Sequence, residues 1–246
     1  MRKRQQSFTD MPPQSNLTPD LPKDSKGINS LIMAAMDFIP ADQIQFHLIS
    51  ELAECGNAEA QFHLGEIYAE GKVVAVDKLE AMKWFRKAAE QGYAEAQNQL
   101  GRMYEWTLGI KRDQAKAAKW YRKAAKQGYP EAQLHLGEMY ANGRGVAKDE
   151  AEAIKWWRKA AKERDSRAQY NLGVAYAGGR GVPKDEAKAV KWFCKAAEQH
   201  EYDVRAQYEL GRRLFHGIGV KHDEVEGKFW LEASGTQKAR ELLKSI

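Results

Sequence analysis

Apolar residues recur through most of this chain at the spacing of amphipathic helices, and residues 131–161 show the pattern most clearly. The first half of this stretch places apolar residues at i, i+4, i+7 and i+8, which is one face of a helix. The tripeptide Gly143-Arg144-Gly145 then permits a turn, and Asp149 is placed to cap a second helix. The stretch therefore predicts two antiparallel helices. Their buried faces would carry Ala132, Leu136, Met139 and Tyr140 in the first helix, and Ala153, Trp156, Trp157, Ala160 and Ala161 in the second.

The same pattern occurs five times in one register. Leu-Gly pairs recur at steps of 36, 36, 36 and 38 residues, and an aspartate and a tryptophan follow each pair at the same steps. Such a period predicts stacked helix pairs whose core grows along one axis. The shared positions are Leu64, Leu100, Leu136, Leu172 and Leu210; Asp77, Asp113, Asp149, Asp185 and Asp223; and Trp84, Trp120, Trp156, Trp192 and Trp230, which we predict to be core residues.

Two features of the template give local expectations. A glycine inside a helix, such as Gly137, costs about 1 kcal/mol relative to alanine, so its presence indicates close approach by a neighbouring helix. Asp149 has Glu152 at the position where a capping box would form.

Two helix ends depart from the template. Gly92 and Gly128 end their second helices, whereas the later copies have Arg164 and His200. A non-glycine residue in the left-handed conformation costs roughly 1 kcal/mol, so we expect these two ends to be rebuilt. Two inserted residues after His200 predict a longer connection around 201–204.

The chain divides into four regions. Residues 1–26 hold four of the seven prolines and are predicted to be a disordered tail. Residues 27–56 are predicted to be a degenerate helix pair, with helices at 28–38 and 43–54. The five predicted repeats fill 57–235, at about 58–93, 94–129, 130–165, 166–203 and 204–235, and a polar capping helix is predicted at 236–246.

The composition of the chain bears mainly on its cellular location and says little about its partners. The net charge is +5 among 246 residues, which permits an anionic partner without arguing for one. The two cysteines, Cys55 and Cys194, do not form a disulfide framework, which suits a reducing compartment. No apolar run follows the basic start, and none approaches the roughly 20 residues of a membrane span. We expect a cytoplasmic location without membrane insertion.

The combined pattern, A-x-x-x-L-G-x-x-Y-x-x-G-x-G-V-x-x-D-x-x-x-A-x-x-W-x-x-x-A-A, resembles the Sel1-like repeat family, a relative of the tetratricopeptide repeat. The resemblance covers about 58–235, with local departures at Val73, Thr107 and Leu214. It implies an all-α fold, a right-handed α/α solenoid of antiparallel helix pairs. Family members are mostly scaffolds or adaptors that bind proteins, many of them in bacterial signalling, secretion or toxin–immunity systems.

Motifs of catalysis and metal binding are missing from the sequence. It has no G-x-S-x-G, no H-E-x-x-H and no phosphate-binding loop of the Walker type. With helices about 8–10 Å apart, His63 and His135 would stand on the order of 20 Å from each other, too far for one zinc ion. Cysteine-rich relatives have been linked to β-lactamase activity, but this chain has neither their cysteine pairs nor S-x-x-K. We predict no enzyme, no cofactor and no metal, and keep a β-lactamase-like enzyme as a disfavoured alternative.

One aromatic residue stands out among the variable positions. Trp106 occupies a place held by Glu70, Asn142, Gly178 and His216 in the other copies. A lone tryptophan there is a candidate binding anchor. The alternative is that it fills local space beside a turn without its glycine.

First helices line the concave side in solenoids of this type, so we predict a protein or peptide segment there and no small-molecule substrate. Variable positions are acidic in the first three repeats, and they are basic at Arg167, Arg205, Arg212 and Arg213 in the last two. The groove could bind a segment of opposite charge order, with a carboxylate or phosphate at the basic end, or the charges could only keep it soluble. The predicted contact residues are Phe62, Glu66, Asn98, Arg102, Trp106, Leu134, Glu138, Arg167, Tyr170, Arg205, Tyr208 and Arg212.

Basic residues also follow the outer face of the second helices. They could bind nucleic acid or an anionic surface, but glutamates are interspersed and aromatic residues are not interleaved with them, so a solvated convex face is favoured. These residues are Lys83, Arg86, Lys87, Lys119, Arg122, Lys123, Lys126, Lys155, Arg158, Lys159 and Lys162.

Overall fold

The computed structural model describes residues 41–71, 73–106, 111–199 and 203–244, of which 41–44 are described in backbone only. The predicted tail and the predicted helix at 28–38 lie outside these ranges. Within them the chain forms twelve helices and no strand. The helices are α1 (Ala41–Glu54), α2 (Ala58–Glu70), α3 (Lys78–Glu90), α4 (Ala94–Trp106), α5 (Gln114–Lys126), α6 (Pro130–Asn142), α7 (Glu150–Lys162), α8 (Ser166–Gly178), α9 (Glu186–Ala197), α10 (Val204–His216), α11 (Glu224–Ser234) and α12 (Gln237–Lys244).

The helices are arranged as successive pairs. Helices α2 to α11 form five pairs, and each helix packs against its neighbours along the chain, both within its pair and across to the next one. Helix α1 precedes the first pair, and α12 packs on α11 at the far end. The predicted all-α solenoid of helix pairs is confirmed. Over the ranges that the structure describes, no helix is both long enough and apolar enough to cross a membrane.

The glycine in each first helix lets a side chain of the second helix approach its backbone. A Cβ atom added to Gly137 would lie 2.5 Å from the Trp157 ring, which is closer than real contacts allow. The predicted close approach is therefore confirmed, and the facing residue fills the space that an alanine would occupy. The same contact recurs between Gly65 and Phe85, Gly101 and Tyr121, and Gly173 and Phe193, whereas at Gly211 the closest atoms belong to the backbone of Leu231 and Gly227.

An aspartate caps every second helix, as predicted. The Asp149 carboxylate accepts a hydrogen bond of 2.8 Å from the Glu152 backbone N–H. Its own N–H donates to the Tyr140 carbonyl at 2.9 Å, so the reciprocal half of a capping box has no free donor. The predicted box is wrong in this respect, because the Glu152 carboxylate accepts from Lys155 instead. The other caps are Asp77, Asp113, Asp185 and Asp223.

Arginine and tyrosine side chains join consecutive repeats. Arg122 donates to the Tyr140 hydroxyl at 2.8 Å, from the second helix of one repeat to the first helix of the next. Where Leu214 replaces the tyrosine, Cys194 occupies the position of the arginine, so donor and acceptor are lost together. The bond recurs between Arg86 and Tyr104 and between Arg158 and Tyr176.

Hydrogen bonds between buried glutamines form a second link between repeats. This link was not predicted from the sequence. Gln97 donates to the Ala89 carbonyl at 3.0 Å and accepts from Gln127 at 2.8 Å. One repeat later, Gln133 takes the place of Gln97 and Glu163 takes the place of the donor Gln127. A carboxylate cannot donate this bond, so Gln133 Oε1 is left without a partner. An unsatisfied buried acceptor costs about 1–3 kcal/mol, so this repeat junction is weaker.

The expected rebuilding of the helix end at Arg164 is wrong. Arg164 keeps the left-handed conformation, with φ of 64°. Its N–H bonds the Ala161 carbonyl at 3.2 Å, as Gly128 bonds Ala125. The corresponding His200 lies outside the described residues.

We predict that Gly137→Ala lowers the free energy of unfolding by about 1–3 kcal/mol, because its Cβ would displace the Trp157 ring. Gly178→Ala is the control, since its Cβ would have no atom closer than 3.4 Å. It should raise stability by up to about 1 kcal/mol through helix propensity. Urea unfolding of both variants measures the difference, and an equal effect would contradict the packing role of Gly137.

A groove across the second, third and fourth repeats

Three of the predicted contact residues are buried, so the prediction that they contact a partner is wrong. Phe62, Asn98 and Leu134 share one repeat position, and their exposed fractions are 8%, 1% and 0%. Phe62 packs against Tyr93, and Asn98 donates to Glu131 at 2.9 Å. This position faces neighbouring helices because a first helix is covered on two sides in a stack.

The predicted basic end contains carboxylates that offset its arginines. Arg205 donates to the Asp203 carboxylate at 2.9 and 2.5 Å, and its guanidinium lies 4.4 Å from the centre of the Tyr170 ring. The nearby Arg213, with 4% exposed, is buried against Glu186 and Glu209. The prediction of a uniformly basic surface here is therefore corrected. Arg167 pairs with Asp165 at 3.7 Å and Arg212 with Glu209 at 3.0 Å, while Tyr208 is half-buried.

Trp106 lies between two adjacent grooves. It is the last residue of α4, and 59% of it is exposed. The larger groove has a volume of about 950 Å³ and includes Glu138 in its wall. The smaller groove has about 560 Å³ and includes Glu66 and Arg102. Four of the twelve predicted contact residues thus come together on this surface.

Two arginines hold the Trp106 indole in place. The guanidinium carbons of Arg144 and Arg112 lie 5.5 and 5.9 Å from its ring centre, within the range of cation–π attraction. Arg144 is fixed in turn by Glu105, with 2.6 Å between Nη1 and Oε1. The tryptophan is therefore presented to solvent on a pre-positioned support.

A buried glutamate organises this support. Glu105 is 2% exposed and accepts from the Tyr121 hydroxyl at 3.1 Å as well as from Arg144. Burial, and then the Glu105 charge, raise the pKa of Tyr121, which keeps the phenol protonated as a donor. Neither Glu105 nor Arg144 is among the contact residues predicted from the sequence. The available signal was a carboxylate at a position that is alanine in three other copies, namely Ala69, Ala141 and Ala177.

A histidine extends the polar cluster along α6. The His135 ring stacks on Tyr121 with 5.0 Å between centres, and both Glu131 and Glu138 lie 3.6 Å from its nitrogens. Burial lowers the pKa of His135, but the two carboxylates more than offset this, so the pKa is raised above 6.5. The protonated imidazole then links two carboxylates beside the groove.

Neither metal binding nor a reactive Cys194 thiolate finds support in the described residues. Across the described ranges, no three or more His, Cys, Asp or Glu residues cluster in a way that could hold a metal ion. Burial raises the pKa of Cys194 to about 11, so its thiolate is scarce at neutral pH. The polar cluster instead fixes side chains at the groove wall.

Cations on the second helices have structural roles. Lys87 and Lys159 lie over the rings of Trp84 and Trp156, at 3.7 and 4.1 Å from their centres. Others bind carboxylates, as Lys155 binds Glu152, or tyrosines of the next repeat. These contacts favour the reading of a solvated convex face. The prediction that all five repeat tryptophans are core residues holds for these two, which are buried at 9% and 8% exposure, whereas Trp120, Trp192 and Trp230 are half-buried beside the core.

Comparison with known proteins agrees with the helix pairs. A family model described as Sel1 repeat matches residues 58–93, 94–129, 130–165, 166–200 and 204–238. The chain belongs to the Sel1 repeat family. A search of curated proteins found no match.

Solved structures include other Sel1 repeat proteins. One from Oxalobacter formigenes is 37% identical with a TM-score of 0.72, over 78% of this chain and 79% of that one. A protective antigen of uropathogenic Escherichia coli strains, described as having an SLR fold, is 40% identical with a TM-score of 0.74 over 77% of this chain. This chain spans 40% of that antigen's length. An immunity protein of Pseudomonas aeruginosa shares the fold at 22% identity and a TM-score of 0.52, over 89% of this chain and 84% of that one.

We predict that His135 stabilises the fold more at acidic than at alkaline pH. Because its pKa is raised on folding, its contribution is complete below its unfolded pKa of about 6.5 and is lost as pH rises through the higher folded value. His135→Gln should therefore lower the free energy of unfolding more at about pH 5.5 than at about pH 8.5. Urea unfolding at both values measures this, and a deficit that is constant or grows with pH would contradict the paired imidazolium.

Proposed function

We propose that this protein is a non-enzymatic scaffold or adaptor that binds a protein or peptide segment in the larger groove. The groove spans parts of three repeats, from Trp106 through Glu138 to Val174. Its length and open shape suit an extended or helical segment better than an enclosed small molecule.

The exposed Trp106 carries this proposal. Tryptophan and arginine are enriched among the residues that dominate binding energy at interfaces, and here they occur together. Trp106 is held by Arg144, which is itself fixed by Glu105. The contact restricts the indole before a partner covers it, so less side-chain entropy is lost on binding.

The outer face offers less to a partner. Most of its lysines and arginines already cover tryptophan rings, bond tyrosines or pair with carboxylates. A nucleic acid would have to displace these contacts to gain phosphate contacts. The groove is therefore the better-supported binding surface.

The cellular role that we propose is bacterial signalling, secretion or toxin–immunity. Support comes from membership of the Sel1 repeat family and from two proteins of the same fold that are described as immunity proteins of Pseudomonas aeruginosa. A protein partner is the common requirement of these roles.

Random 12-residue peptides, displayed on phage and selected on the wild-type chain, test the function. The best sequences would be synthesised and their affinities measured by calorimetry on each variant. We predict that Trp106→Ala weakens binding at least about 10-fold, as expected for a central aromatic anchor. Circular dichroism should show unchanged helicity, because the indole is 59% exposed.

Phe229→Ala is the matched control. Phe229 is 60% exposed, close to the exposed fraction of Trp106, but it lines neither groove. Its loss should leave the peptide affinities unchanged. Equal affinities for the wild type and Trp106→Ala, or equal losses in both variants, would contradict the proposed groove.

A further inference from the structure

Two successive turns place equivalent arginines at the larger groove. The glycines before Arg144 and Arg180 have φ of 68° and 67°, and those after them have 67° and 66°. The two arginine N–H groups make the same bonds, to Met139 at 2.9 Å and to Ala175 at 3.0 Å. The two turns therefore have the same backbone conformation, and Arg180 is the equivalent of Arg144 in the next repeat.

The surroundings of these arginines differ. Arg144 lies 2.6 Å from the Glu105 carboxylate and 3.9 Å from that of Glu138. At the equivalent positions one repeat later, the residues are Ala141 and Val174. Both line the larger groove, as the later arginine does. The second arginine therefore has alanine and valine at the two positions where the first has carboxylates.

The remaining charges of this groove are already paired. Three basic side chains and two carboxylates line it, and one of each, Lys148 and Glu150, form an ion pair of 2.8 Å. Glu138 lies beside His135 and Arg144. Among the described residues no carboxylate lies within ion-pair distance of Arg180. Lys148 and then the charge of Arg180 lower the pKa of Glu150, so the only counter-charge that Arg180 is seen to feel in this groove is one already bound by Lys148.

The groove wall also contains unused hydrogen-bond donors. Trp157 takes the place of Tyr121, whose hydroxyl donates to Glu105. Trp157 is 9% exposed, and its Nε1–H has no partner among the described residues. Arg144 Nε is likewise buried without a partner. Buried donors without acceptors cost free energy that an incoming acceptor would recover.

We infer that the larger groove binds the side-chain carboxylate of a glutamate or aspartate from a partner peptide segment, over Ala141 and beside Arg180 and Trp157. The second repeat supplies such a carboxylate from its own Glu105, and the third repeat lacks one. An apolar residue next to the acidic one would contact Trp106. The inference rests on the proposed function and adds the chemistry of the ligand.

A stability measurement tests the carboxylate position without any ligand. Ala141→Glu should fold with a melting temperature at least equal to that of the wild type, because its carboxylate meets Arg180. Ala141→Glu in the Arg180→Gln background is the matched control, because it keeps the new carboxylate and removes only the arginine. This double variant should melt several degrees lower than Arg180→Gln alone, since its carboxylate has lost its partner. Equal destabilisation by Ala141→Glu in both backgrounds would overturn the inference.

A binding measurement tests the ligand. The peptides selected on the wild type would be synthesised with amidated C-termini, each with its acidic residue or with the matching amide. The acidic forms should bind at least about 10-fold more tightly. Arg180→Gln and Ala141→Glu should remove this preference. Lys184→Gln removes a charge from the same turn outside the groove lining and should not.

Three other results would count against the inference, and they are distinguishable. Binding that needs Trp106 but neither the peptide carboxylate nor Arg180 overturns the inference and leaves the proposed function standing. Acid-free peptides whose free C-terminus needs Arg180 would overturn the assignment to a side chain. Failure to obtain any Trp106-dependent peptide would overturn both.

Discussion

The close approach at the glycine of each first helix sets the distance between the two helices of a pair. With no Cβ at Gly137, the Trp157 ring can lie against the backbone of α6, and aromatic rings lie in the same way against three of the other four glycines. The backbone N–H of each capping aspartate bonds a carbonyl of the first helix across this gap, at 2.9 Å in every pair, and such a bond tolerates little displacement. Each pair is thereby held in the same geometry.

Because the repeats share one backbone geometry, different residues at equivalent positions can be compared as if they were substitutions in a single site. Replacing alanine with Glu105 in the second copy brings in Tyr121 and Arg144 as its partners, and these orient Trp106. The next copy keeps an arginine in the same kind of turn but has alanine in place of the glutamate. The difference between the two copies, rather than either copy alone, points to a place for a carboxylate.

Helix pairs, caps and the close approach at Gly137 follow from the sequence, because they depend on local spacing that the period repeats. The burial of Leu134 could not be predicted from local spacing, because it results from packing between repeats. A first helix contacts its own partner helix on one side and a helix of the neighbouring repeat on another. The charge pattern of the variable positions overstated the basic end, because the acidic partner of Arg205, Asp203, stands outside those positions. Trp106 could be predicted because no other copy has an aromatic residue of that size at its position. Its contact with Arg144, which Glu105 fixes, could be found only from the three-dimensional structure.

The central claim is that partners bind where the copies differ, at the groove between Trp106 and Val174. Indole ¹⁵N–¹H spectra of the full chain, with Trp106 and Trp157 assigned by their phenylalanine variants, test this most directly. On titration with a selected acidic peptide, these two resonances should move, because both side chains line the groove. The resonance of Trp84, buried in the core beyond it, should stay in place. Shifts confined to core or convex indoles, with Trp106 and Trp157 unmoved, would contradict the account.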